Sequence, residues 1–184
     1  MTPFVTISLT RGLVTIVDPE DFPWISRHKW TALESSPGRF YAFRTINLSA
    51  GNKTSLLLHR AVLDANRGQE VDHINWNTLD NRKSNLRFCS RAENFANKRK
   101  MNGKSQFKGV SWSSSSSKWM ARIQDRGTMK YLGVFESEEE AAQVYDKAAL
   151  TLWGEFARPN FSCGGIPETW KVQNFEVTHG NLIK

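Results

Sequence analysis

The first hundred residues alternate more than they cycle. Val5, Ile7 and Leu9 occupy every second position, and Leu13-Val14-Thr15-Ile16-Val17 follows the turn Arg11-Gly12. Residues 40–46 and 55–58 have the same strand-like composition, so this region is predicted to be β-rich. Residues 21–25, with Pro23 near the start, predict a short helix. Residues 57–65 put Leu58, Ala61, Val62 and Ala65 on one face at helical spacing and predict another. Beyond Phe107 the pattern becomes more regular. Runs at 107–112, 119–124 and 130–135 predict three strands, with turns at Ser113–Ser117 and at Arg126-Gly127. Ala141, Tyr145, Ala148, Ala149 and Leu152 then predict a helix over 137–153, opened by a capping box of Ser137 and Glu140. The small alanines on its apolar face would let it lie close against a sheet. Trp119 reads as part of that core.

These elements make the expected fold class α+β: a β-rich N-terminal part, then a three-stranded antiparallel sheet packed on one helix. The polar, Gly-containing stretch 101–105 is the expected linker. It separates a domain at 1–100 from one at 105–161 and a C-terminal tail at 162–184, where Gly164-Gly165-Ile166-Pro167 breaks the pattern and no role is assigned.

Composition narrows the function classes. The chain has 184 residues, 39% of them hydrophobic, with no run approaching the ~18 apolar residues of a membrane helix. No secretory signal is read at its start, so the cytoplasm is the expected compartment. Cys89 and Cys163 are far apart and read as free thiols, which leaves any metal to oxygen and nitrogen ligands. The net charge is +7, and residues 82–108 hold nine basic side chains against one acid, Glu93. A cluster holding the whole excess points to a polyanion partner, because each neutralised phosphate releases counterions. Its members Arg82, Arg87, Lys98 and Arg99 are candidate backbone contacts.

The chemistry-bearing segment runs Val71-Asp72-His73-Ile74-Asn75, Leu79-Asp80-Asn81-Arg82, Asn85-Leu86-Arg87 and then residues 90–97. Phosphodiester hydrolysis needs a base to activate water, a hard cation at the scissile phosphate, and a group that fixes the base's tautomer. Asp72 and His73 offer a ligand and a base side by side. Residues 86–88 predict a returning strand, and Ser90 with Glu93 is a second capping box that starts a helix at Arg91. Strand, loop, strand and helix within thirty residues can converge Asp72, His73, Asn85 and Asn94. Read as residues alone, the same segment is also compatible with a turn-rich loop whose asparagines only shape the backbone.

Residues 59–97, with DH-x-N, LDNR, NLR and N-x-x-N, resemble the HNH nucleases of the phage homing-endonuclease type. The resemblance implies a ββα-metal core over about 58–100. It implies that Asp72 and Asn94 bind one divalent cation, Mg²⁺ or Mn²⁺, with Asn97 as the alternative to Asn94. His73 would be the general base, and Asn85 would orient its ring by a hydrogen bond. His59 would pack behind the site, while His28 and His179 read as ordinary surface or packing residues. The implied products carry 5′-phosphate and 3′-hydroxyl ends. One such site in a monomer would nick one strand; cutting both would need a second site or a dimer.

Residues 105–161, with KGV, KW-x-A-x-I, YLGVF, EEAA-x-YD-x-AA and a final NF, resemble the Apetala/ethylene-response-factor DNA-binding domain. The implied DNA-facing residues are Lys108, Trp112, Arg122, Gln124, Lys130 and Tyr131, in a sheet that enters the major groove. Serines such as Ser111 and Ser113 stand where plant relatives carry arginine or tryptophan, which puts the plant family's GC-rich target in doubt. The expected whole is a homing endonuclease acting on double-stranded DNA, with no membrane partner, in a bacterial host and encoded by cell or phage. A DNA-binding regulator on a retained nuclease scaffold and a defence nuclease are the alternatives.

Overall fold

The computed structural model describes residues 3–48, 51–98 and 104–161. Arg99 and the tail 162–184 lie outside the described residues, as do Cys163, His179 and most of the expected linker. The chain divides into two compact units, Met1–Arg91 and Ala92–Lys184.

In the first unit, β1 (Val5–Ser8) and β2 (Val14–Val17) form an antiparallel hairpin. A one-turn helix α1 (Phe22–Ile25) follows, with Pro23 in its first turn, where its missing N–H costs nothing. Strands β3 (Thr31–Ser36), β4 (Arg39–Asn47) and β5 (Lys53–Leu57) make an antiparallel sheet in that order. Sequence pattern did not anticipate β3, because only Ala32 of its six residues is buried. Pairing with β4, and the Ala32 amide donating to Thr10 Oγ1 at 3.0 Å, hold it.

Helix α2 (Leu58–Val62) buries Leu58 and Val62 and stops sooner than its periodicity predicts. Asp64 adopts φ 48°, and the Arg60 guanidinium donates to the carbonyls of Asn66 and Gln69, closing the chain into a loop instead of another turn. Strands β6 (Glu70–His73) and β7 (Leu86–Cys89) form the second hairpin, with Asp72 opposite Arg87 and His73 opposite Leu86. The core joins Ile7, Val17, Ile25, Trp30, Leu58, Val71 and Leu86, so both hairpins and the sheet share one apolar centre.

Helix α3 (Arg91–Ala96) opens at the boundary between the units. The second unit continues with β8 (Val110–Ser113), β9 (Lys118–Asp125) and β10 (Thr128–Phe135), in the antiparallel order β10-β9-β8. Helix α4 (Glu138–Trp153) covers one face of this sheet. The Glu140 amide donates to Ser137 Oγ at 3.0 Å, which caps α4 as its sequence predicts. Ala141, Ala142, Tyr145 and Ala149 of α4 meet Val110, Ala121 and Ile123 of the sheet. Asp146, also buried, accepts from the amides of Asn160 and Phe161 at 2.8 and 2.9 Å. Asn160 in turn accepts from the Lys108 amide at 2.6 Å, so one carboxylate ties the end of the domain to its beginning.

Candidate functional site

The β6–β7 hairpin carries a thirteen-residue stretch, from His73 to Asn85, that is polar yet largely closed to solvent at its base. Asp80 and Asn81 are each 1% exposed and Asn85 5%. Buried polar groups at this depth must be hydrogen-bonded, and each of these is. Asp80 accepts from Arg82 Nε at 2.8 Å, from Arg82 Nη2 at 2.7 Å and from Asn75 Nδ2 at 2.8 Å. These bonds hold its carboxyl below the ordinary carboxylate range despite the opposing effect of burial. Asn85 donates to the Asp80 carbonyl and accepts from the Asn75 amide, both at 2.8 Å.

The loop is also fastened to the N-terminal hairpin. The Ile16 amide donates to the Leu79 carbonyl and the Asn81 amide to the Ile16 carbonyl, a parallel bridge far from both strands' own partners. Thr15, fully buried, donates its hydroxyl to the Leu79 carbonyl at 2.7 Å and accepts from Asn81 Nδ2 at 2.7 Å. That fixes the Asn81 amide: its oxygen faces His73 Nε2, 3.4 Å away. An acceptor there requires the Nε2–H tautomer, which makes Nδ1 the basic nitrogen of the ring.

His73 is 3% exposed, and burial lowers its pKa to about 4, against the raising effects of Asn81 and Asp72. Its ring centroid lies 5.0 Å from that of His59 and 6.0 Å from that of Tyr41, both edge-on. Burial, helped by His73, Arg60 and Arg39, lowers His59 to about 3. His59 therefore packs behind His73 as a neutral ring. Asp72 is 6% exposed, and its Oδ2 lies 3.1 Å from Arg87 Nη2 across the strand pair.

Several expected roles change. The amide at the His73 ring belongs to Asn81, whereas Asn85 closes the loop from inside. Arg82 and Arg87, expected as phosphate contacts, each pair with a buried carboxylate, Asp80 and Asp72, with Arg82 still partly exposed. Lys98 is exposed, with its ammonium 5.8 Å from the Phe95 ring centroid. The first unit by itself brings together Asp72, His73, Asn81 and Asn85. Asn94 lies half-buried on α3 in the second unit, and Asn97 is buried one turn later. Thr15 and Tyr41 were missed in the sequence because nothing in a strand's alternation marks a hydroxyl as a relay or a ring as a buttress.

The second unit offers a different surface. Side chains alternate across a strand, so the burial of Val110, Ala121 and Ile123 under α4 sends their neighbours outward. Gln124 pairs with Met129, Arg122 with Tyr131, and Met120 with both Ser111 and Val134 on this outer face. Arg122, Gln124 and Tyr131 are exposed there, as expected. Lys130 and Trp112 are not on it. Lys130 is the partner of Ile123 and lies on the helix side, its ammonium 2.7 Å from Asp125. Trp112 shares the side of Val110 and packs on Trp119, with ring centroids 5.2 Å apart. Lys108 turns its ammonium to the Ala96 carbonyl, and burial lowers its pKa to about 8.

Comparison with known proteins agrees with both halves. Residues 57–96 match the HNH endonuclease family model. The chain is 30% identical over 157 residues to an uncharacterised HNH endonuclease of Acanthamoeba polyphaga mimivirus, covering 85% of this chain and 80% of that protein. An AP2-like ethylene-responsive transcription factor of Arabidopsis thaliana is 37% identical over 67 residues, 36% of this chain and 14% of the plant protein. A second Arabidopsis ethylene-responsive transcription factor is 47% identical over 62 residues, 32% of this chain and 24% of the other. The plant likeness thus concerns one domain of much longer proteins. Taken with the polar hairpin loop around His73 and the helix-backed sheet, these matches make the chain a DNA endonuclease of the HNH family with an AP2-like DNA-binding part.

Proposed function

We propose that this endonuclease is metal-dependent and of the homing type, with His73 as general base and a recognised DNA site as substrate. The observation that carries the reading is the tautomer relay: Leu79 carbonyl, Thr15 hydroxyl, Asn81 amide, His73 Nε2–H. It holds a neutral imidazole with Nδ1 as acceptor, the state a general base needs.

Asp72 and Asn94 offer a carboxylate and an amide oxygen. Among the described residues no group of three or more His, Cys, Asp or Glu side chains is placed to hold a metal. A carboxylate and an amide oxygen are hard donors that suit Mg²⁺ or Mn²⁺, with water completing the shell. Asp72 is buried beside the base, which also fits. When bound, the cation would neutralise charge on the scissile phosphate and the departing oxygen. His73 Nδ1 takes the proton of the attacking water. Asn81 keeps the ring oriented, Asn85 and Asp80 keep the loop closed, and Arg87 holds the Asp72 carboxylate in register. The products carry 5′-phosphate and 3′-hydroxyl ends, and a monomer nicks one strand. Its working place is the cytoplasm of a bacterial host, with the gene carried by the cell or by a phage.

Supercoiled plasmid carrying a bound site, incubated with Mg²⁺, Mn²⁺ or EDTA, tests the reading. Open circles are expected with metal, are lost in EDTA, and fall by at least ~100-fold in His73→Ala. Equal cutting by the variant would remove His73 from its role. Linear product would point to two sites working together.

A further inference from the structure

We infer that the outer face of the β8–β9–β10 sheet reads an A·T-rich major groove with a single guanine contact, made by Arg122. This rests on the DNA-binding reading of the second unit and adds which bases are read. Within the strands the face carries Lys118 and Arg122 and no carboxylate, Asp125 lying on the helix side with Lys130; Glu136, just past β10, pairs with Lys118 at the edge. A polyanion is therefore its charge-complementary occupant, and a narrow antiparallel sheet fits the width of the major groove.

Three successive rows of this face differ in chemistry, and Lys118 beside Ser113 forms a fourth beyond them. Gln124 beside Met129 forms the row nearest the β9–β10 turn, Arg122 beside Tyr131 the middle row, and Met120 beside Val134 the far row. Gln donates and accepts in the pattern that adenine N7 and N6 present, while Arg matches guanine O6 and N7. Apolar side chains contact the thymine methyl and have no partner for the polar edge of a G·C pair. Met129 is 56% and Val134 37% exposed, so both are presented outward. Tyr131, 60% exposed, adds an aromatic body with a polar tip. Arg122 Nη2 is 3.4 Å from Ser111 Oγ, the β8 neighbour in the Met120 row, so the guanidinium leans from the middle row toward the far row. Successive rows along β9 are about 7 Å apart, or about two base-pair steps. The inferred site therefore has an adenine about two steps from a guanine, and a thymine about two steps beyond it.

Selection of bound sequences from a random duplex library, with the full chain in EDTA, tests this. The expected matrix is A·T-rich with one strong G. Gln124→Ala should lose the adenine preference with about a tenfold fall in affinity for the selected site. Gln124→Arg should convert that position to guanine, and Arg122→Ala should relax the guanine alone. A G·C-rich matrix, or variants that weaken binding with the matrix unchanged, would overturn the base assignment while leaving DNA binding by this unit intact. No duplex binding at any salt would overturn both the assignment and the reading it rests on.

Discussion

A single side chain, Asn81, decides which nitrogen of His73 can act. Its amide is oriented from behind by Thr15, so removing it frees the imidazole to adopt either tautomer and to turn. Asn81→Ala is expected to lower nicking roughly 10–100-fold, the usual cost of losing the partner that orients such a histidine. Duplex binding by the same variant, followed by gel shift, should stay unchanged. The paired neutral rings of His59 and His73 make a second expectation, in acid. Their pKa values, about 3 and about 4, lie below the 6.5 of an exposed imidazole. The unfolded chain takes up these protons first, so the stability of the first unit is full above about pH 6.5 and falls as pH drops toward 4. A loss of a few kcal/mol is expected across that window. Melting temperature against pH should show it, and His59→Phe should flatten the slope. At this scale the sequence was legible for Asp72, His73 and the loop asparagines, whose spacing is a motif. It was illegible for Arg82 and Arg87, because a basic residue in a charge cluster does not announce a buried carboxylate two residues away or across a strand pair.

Among the elements, the three-stranded sheet and α4 were readable because hydrophobic period and capping agree with each other. Parity was harder. The register between β9 and β10 shifts between Tyr131 and Gly133, and one residue of slip sends a side chain to the opposite face. Lys130 and Trp112, expected on the DNA side by resemblance, are found on the helix side because their partners Ile123 and Trp119 share the parity of the buried positions. The close approach of sheet and helix depends on Gly109, at φ +77°, where an added Cβ would sit 1.9 Å from the Tyr145 ring. Gly109→Ala is therefore expected to destabilise the second unit by roughly 3 kcal/mol through overpacking and backbone strain. Gly127→Ala, at φ +89° with nothing within 4 Å, should cost only about 1 kcal/mol. Thermal melts of the two variants would separate crowding from conformation.

Across the whole molecule, two kinds of domain were legible from two kinds of pattern, yet the dependence of one hairpin on another was not. Thr15 and Ile16 lie some sixty residues ahead of the loop they fasten, and only the fold brings them together. Thr15→Val keeps the shape and removes the hydroxyl. Cutting by that variant is expected to fall about tenfold, together with a stability loss of roughly 1–3 kcal/mol from the unpaired Asn81 amide. A plasmid assay beside a thermal melt would show both. Full activity in Thr15→Val would reduce the relay to a packing detail.

The matched family segment covers residues 57–96, while the staple that sets the base comes from β2. The recognisable motif is thus smaller than the unit that can be inherited. A recombination event that moved only the motif into another gene would deliver a mute cassette, with its histidine present and its orientation left behind. Productive exchange must cut the donor gene ahead of β1, so the apparent signature of this enzyme and its transplantable part have different borders.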